Sequence, residues 1–180
     1  VAQNPVVVGT GPVAILGSDD GAVIGLARDG RVRALARDAR GFALPGAVRG
    51  GAISPLANSL FALSASGEEV FSADLDAPAA QNRYPLPFPA DRMAASPAGR
   101  WLALADAGGE RIAIFDTEAM RVRWTIAMPD PVIEMRFSDN FLYFMHRRQG
   151  GVTRVTFDPQ APAPGLAAIA AGLASDIPQE

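Results

Sequence analysis

The chain has no cysteine, no lysine and a single histidine. Without cysteine it has no disulfide, no zinc–thiolate centre, no thioether-linked haem and no thiol nucleophile. An oxidising compartment is compatible with that absence and is not established by it. With one histidine, His146, any Ser–His–Asp triad or histidine-ligated haem has to use that residue. No G-x-S-x-G elbow is present to supply a nucleophile. All 16 basic residues are arginine, which reads as the coding bias of a GC-rich genome. Net charge is −3 and no dense basic block occurs, so nothing points to nucleic acid. The nearest thing to a basic cluster is Arg28, Arg31, Arg33, Arg37 and Arg40; Arg31 and Arg33 alternate with Val32 and Ala34, as on a half-exposed strand. No apolar run reaches the ~18 residues of a membrane helix. The chain opens on Val1 rather than Met, as a mature form or a fragment would, and shows no signal peptide.

What the chain does have is 180 residues, 49% of them hydrophobic, punctuated by 18 glycines and 15 prolines. That length supports a sizeable core, and Gly and Pro placed between short apolar runs mark an all-β chain. The stretch "SPAGRWLALADAGGERIAIFDTEAMRVRW", Ser96 to Trp124, reads as turn, strand, turn, strand, turn, strand. Moved back by 42 residues it falls on "SPLANSLFALSASGEEVFSADLDAPAAQNRY", with Ser54-Pro55 on Ser96-Pro97, Val70 on Ile112 and Asp74 on Asp116. Moved forward by 42 it falls on "SDNFLYFMHRRQGGVTRVTFD", with a shorter first turn and a longer middle one. A less regular copy runs from Ala14 to Ala36. A period near 42 with three or four short strands per unit fits the roughly 40–45 residues of a propeller blade. In this reading the Asp closing "IAIFD" makes an Asx turn, and Arg121, Arg123 and Thr125 point away from Val122, Trp124 and Ile126.

"SPAGRWLALAD" followed by "RIAIFDTEAMRVRWTI" resembles the "SPDGK-LYVA" strand and the "V-VIDT-T-KVV-TI" strand pair of the YVTN-type propellers. That family is related in architecture to WD40, quinoprotein and cytochrome d1-like propellers. The likeness is clearest over 89–130, weaker over 46–88 and 131–158, and fainter over 12–40. It implies an all-β fold of four-stranded antiparallel blades, about four in this chain. Because propellers usually have six to eight blades, a segment of a larger propeller is expected over a closed four-bladed ring. Residues 1–180 are then one propeller domain or segment, with blades at about 12–40, 46–88, 89–130 and 131–160. Residues 161–180 form a Pro-rich linker and an Ala-rich tail, read as a short helix or the start of another blade. Members of the broader group act as binding modules, surface proteins and large subunits of periplasmic redox enzymes, which implies a bacterial periplasmic or extracellular place.

Candidates for chemistry are few. His146 heads Arg147-Arg148-Gln149-Gly150-Gly151, the lengthened turn of the last clear copy. Such a turn reads as an exposed loop. Its functional reading rests on blade-connecting turns lining one mouth of a propeller, where His146, Arg147 and Arg148 would meet a haem propionate, a phosphate or an acidic partner. "VVVGTGPVA" contains G-x-G-x-x-A, but Pro12 and the following "GSDDG" leave no room for the helix a dinucleotide loop needs, so it reads as strand–turn–strand. "GSDDG" lacks the alternating oxygens of a calcium loop and reads as a hairpin. Glu68, Glu69 and Glu110 fall in equivalent turns and read as solvated. Trp101 and Trp124 are expected to pack between blades. "RYPLPFPADR" is expected to be a protruding connection. No cofactor is evident and no metal set is visible. The expectation is a non-enzymatic propeller module for a protein partner or small ligand; the alternative is the propeller part of a haem- or quinone-linked redox protein.

Overall fold

A computed structural model describes residues 9–17, 23–35, 41–138, 141–148, 150–158 and 160–170. Among them every regular element is a strand, and the strands form four antiparallel sheets of four, each ordered as the chain runs. The first sheet holds β1 (Pro12–Gly17), β2 (Val23–Ala27), β3 (Arg31–Ala34) and β4 (Gly41–Ala43). The second holds β5 (Val48–Ser54), β6 (Ser59–Ser64), β7 (Glu69–Asp74) and β8 (Gln81–Pro85). The third holds β9 (Ala90–Ala95), β10 (Trp101–Asp106), β11 (Arg111–Asp116) and β12 (Arg121–Ala127). The fourth holds β13 (Val132–Ser138), β14 (Phe141–His146), β15 (Val152–Thr156) and β16 (Gly165–Ala170). The repeat of the sequence is this four-stranded meander. The chain forms two compact units, Val1–Pro89 and Ala90–Glu180, with two sheets in each.

The turn residues act as their chemistry demands. Gly30, Gly67 and Gly109 stand at equivalent places in the hairpins of the first three sheets, with φ of 83°, 80° and 73°. That region is strained for a side chain and free for glycine. The Asx turns are present: Asp116 Oδ1 accepts from the Glu118 and Ala119 amides, and Asp74 Oδ1 from the Asp76 and Ala77 amides.

In the first unit, Ile24, Leu26 and Val32 meet Leu60, Ala62, Phe71 and Ala73 in one apolar layer between the sheets. Arg31 and Arg33 lie exposed on β3 with Val32 buried between them, as their alternation requires. β1 begins at Pro12, so no helix opens on Gly11; Val6–Val8, like the "SDDG" of the turn after β1, lie outside the described residues. In the second unit, Trp101, Ala103, Ala105, Ile112, Ile114, Trp124 and Ile126 meet Met135, Leu142, Phe144 and Val155. Trp101 and Trp124 lie 5.3 Å apart and stack on Phe157 at 5.2 and 6.0 Å, so both tryptophans pack between the two sheets.

Three expectations give way. The Ala-rich run is neither helix nor a new blade at 165–170: it is β16, paired with β15 from Val152↔Ala170 to Thr156↔Gly165. The fourth sheet therefore extends ten residues beyond 160. "RYPLPFPADR" does not protrude as a whole, because Arg83–Pro85 end β8, Phe88 is buried and Ala90 opens β9. Proline is tolerated at that strand end, where no ladder donor is needed. The outer strand β12 does not alternate throughout. A bulge pairs Ile114 with Trp124 but Phe115 with Val122, so Val122 and Trp124 face opposite ways.

Candidate functional site

The second unit contains a cleft of about 370 Å³. One wall is the connection from β12 to β13, residues 127–130. The other is a face of the fourth sheet. Register puts Phe144, Thr153 and Ala168 side by side on that face, with Leu142, Val155 and Leu166 in the next row. Leu142, Phe144 and Val155 are covered by the third sheet, whereas Thr153, Leu166 and Ala168 line the cleft together with His146 and Arg148.

His146 is not in a loop. It ends β14 and is buried, which corrects its expected exposure. Nδ1 lies 3.0 Å from the Asp130 carbonyl and Nε2 2.8 Å from Thr153 Oγ1. A carbonyl only accepts, so Nδ1 carries the proton; in the neutral ring Nε2 then accepts from the Thr153 hydroxyl. Asp130, itself buried, accepts the Arg148 amide on Oδ1 at 3.0 Å. Arg147 donates its amide to the Pro131 carbonyl and is exposed; its side chain is not part of the lining. Of the three residues expected to act together, the structure brings His146 and Arg148 to one cleft and leaves Arg147 outside it. Gln149 lies outside the described residues.

The connection that forms the wall is tightly held. The Met128 amide donates to Glu110, the Val132 amide to Gly109, and the Arg92 guanidinium to the carbonyls of Val132 and Ile133. The junction of the first and second sheets uses much the same backbone stitch: Val48 donates to Arg28, Leu44 to Gly30 and Ala65 to Ala47. The last of these matches Arg147 to Pro131. There, however, the strand end equivalent to His146 is Ser64, whose Oγ pins its own hairpin through the Glu69 amide. In the third sheet the equivalent is Asp106, which accepts from the amides of Glu110 and Arg111 and from the Arg111 guanidinium. Serine and aspartate close a four-residue turn. The turn after His146 is one residue longer, and the ring is turned on the neighbouring connection instead.

The chemistry on offer is one-sided. Ala127, Met128, Pro129, Leu166 and Ala168 make the walls apolar, and Leu166 is half exposed. The ion pairs described for this unit use Arg100, Arg111 and Arg136, not Arg148. The imidazole spends both nitrogens on protein partners, so His146 does not fit the role of an axial haem ligand without giving one up. Among the described residues no group of three or more His, Asp and Glu is placed to hold a metal ion. Glu68 and Glu110 are exposed, and Glu69 lies 3.5 Å from Arg83.

Sequence reasoning found His146 and Arg148 but missed Met128, Asp130, Thr153 and Leu166. Asp130 and Thr153 carry no motif. The usable signal was an alignment of strand ends, offset by 40 rather than 42, which puts His146 under Asp106.

Protein-family models give no match to the chain, and neither do the curated proteins. Solved structures do match. Virginiamycin B lyase from Staphylococcus aureus is 18% identical, with a TM-score of 0.67 over 93% of this chain and 57% of that one. BamB from Moraxella catarrhalis is 19% identical, with a TM-score of 0.58 over 86% and 52%. The Cps50 (Swd1) β-propeller domain from Myceliophthora thermophila is 14% identical, with a TM-score of 0.64 over 89% and 57%. The four sheets are β-propeller blades. At such identities the likeness is one of fold alone, and the chain spans little more than half the length of these propellers.

Proposed function

We propose that this protein is a non-enzymatic propeller binding module, and that the His146 cleft is where it takes a small ligand or a segment of a protein partner. The observation that carries this reading is the contrast between the two junctions. The backbone stitch is common to both, so it belongs to the scaffold. The set of His146, Asp130, Thr153 and Arg148 occurs at one of them only, beside an open apolar wall. A concave, mostly apolar site with a few convergent polar groups is the usual form of a ligand pocket. The open apolar wall beside the Thr153–His146 pair, and the lack of a G-x-S-x-G elbow, support binding over catalysis. A bacterial periplasmic or cell-surface setting goes with the reading, on the resemblance of the repeat to YVTN-type propellers. The redox alternative is weakened by the engaged imidazole.

The test is a fragment screen followed by NMR on the intact protein. Shifts are expected to converge on the Met128 methyl, the His146 ring and the Thr153 and Leu166 signals. Fragments that bind only elsewhere, or none that bind at all, would remove the cleft as the site.

A further inference from the structure

Resting on the reading that the cleft is a binding site, its chemistry narrows what it takes. Of the polar groups around it, Asp130 is committed to the Arg148 amide and the His146 ring to Asp130 and Thr153. Once the Thr153 hydroxyl donates to Nε2, that residue offers the cleft only an acceptor lone pair. The chief donor left is the Arg148 guanidinium. Its main chain is anchored by Asp130 while its side chain lies exposed on the lining. A guanidinium fork matches a carboxylate in two parallel hydrogen bonds. Met128, Leu166 and Ala168 provide a surface that gains by covering. A neutral polar ligand finds little to satisfy its own donors here. Of the two charges on the lining, Arg148 is exposed and repels a cation, while the Asp130 carboxylate is buried and bonded to the Arg148 amide.

We propose that the cleft selects small amphipathic carboxylates, with the acid group on Arg148 and the apolar body along Met128, Leu166 and Ala168. Octanoate and octanamide test this, being matched in shape and differing in charge. Calorimetric titration of the full chain is expected to show octanoate binding at least about tenfold tighter than octanamide, the usual margin of a charge-assisted pair. Its affinity should fall as salt is raised. Arg148→Ala should abolish that margin and Arg148→Lys should restore part of it. The side chain is exposed and, among the described residues, only its amide bonds to the rest of the fold, so these variants keep the fold. Equal binding of the two probes, or octanoate binding unmoved by Arg148→Ala, overturns the proposal. If neither probe shifts the Met128 and His146 signals while other fragments do, the ligand class is wrong and the cleft remains the site. If nothing shifts them, the cleft reading has failed with it.

Discussion

The third and fourth sheets are built on one pattern and end up in different surroundings. In the third, Leu102, Ala103, Leu104 and Ala105 are all at most 1% exposed, so β10 is buried on both faces. In the fourth, Leu142 and Phe144 are fully buried on one face, while Met145 on the other is 44% exposed and Phe141 and Tyr143 are half-buried. The open face differs in composition as well as in exposure. Where the third sheet has Ala103, Ala105 and Ile114, the fourth has Tyr143, Met145 and Arg154, with Arg154 lying 4.8 Å over the Phe141 ring. Apolar alternation therefore reports which residues share a face and not whether that face is covered. Coverage depends on what the neighbouring element presents, which no local window of sequence contains.

The sharpest way to break this comparison is to truncate two adjacent residues of β14. Phe144→Ala should destabilise by about 3–5 kcal/mol, the usual cost of emptying a buried aromatic site. Met145→Ala should change stability by no more than about 0.5 kcal/mol, as for an exposed position free of special contacts. Urea unfolding followed by tryptophan fluorescence reads both, since Trp101 and Trp124 lie in the same apolar layer as Phe144. Similar losses at the two positions would mean that both faces of the fourth sheet are covered.

A second prediction concerns the junction that holds the cleft wall. A Cβ on Gly109 would stand 2.1 Å from the Val132 carbonyl oxygen, and the residue has φ of 73°. Gly109→Ala thus meets both a backbone clash and a strained conformation. It should cost about 2 kcal/mol or more. Gly108→Ala next to it meets nothing closer than 3.7 Å and should be near neutral. If thermal unfolding places the two variants together, the close approach of the β10–β11 turn to β13 is wrong, and with it the rigidity of the wall.

Most of the architecture was legible in the sequence because propeller strands are short, apolar and separated by turns of fixed chemistry. The Asp116 and Asp74 turns, the exposed Arg31 and Arg33, and the packing of Trp101 and Trp124 all follow from local rules. The failures share a cause. "GLAAIA" has weak strand propensity, and it becomes β16 because β15 offers it a partner edge. The Pro-rich run ends β8 for a similar reason, since its neighbour β7 pairs with it up to Glu69↔Pro85. The candidate site was legible only as His146 and Arg148. Met128, Asp130, Thr153 and Leu166 join them through pairing and a chain connection, and no spacing along the sequence encodes that meeting.

The smallest effect separates three residues that occupy one place in the repeat. Asp106, Ser64 and His146 each end the second strand of a sheet, but only the first is a carboxylate. Partial burial pushes the Asp106 carboxyl up, and the hydrogen bonds from the Arg111 guanidinium and the Arg111 and Glu110 amides outweigh it, holding it below its ordinary range. A lowered folded-state value means that the ionised group stabilises the fold above its unfolded value of about 3.9. That contribution is lost as pH falls through the folded-state value. Asp106→Asn should therefore cost about 1 kcal/mol at neutral pH, and the gap from the parent should close on acidification below about pH 4. Ser64→Ala removes an uncharged hydrogen bond to the Glu69 amide, so its cost should stay constant over the same range. Chemical unfolding at a series of pH values distinguishes the two. A gap for Asp106→Asn that persists into strong acid would show that its carboxylate charge does not hold this turn, leaving shape and neutral hydrogen bonds to close the hairpin as they do at Ser64.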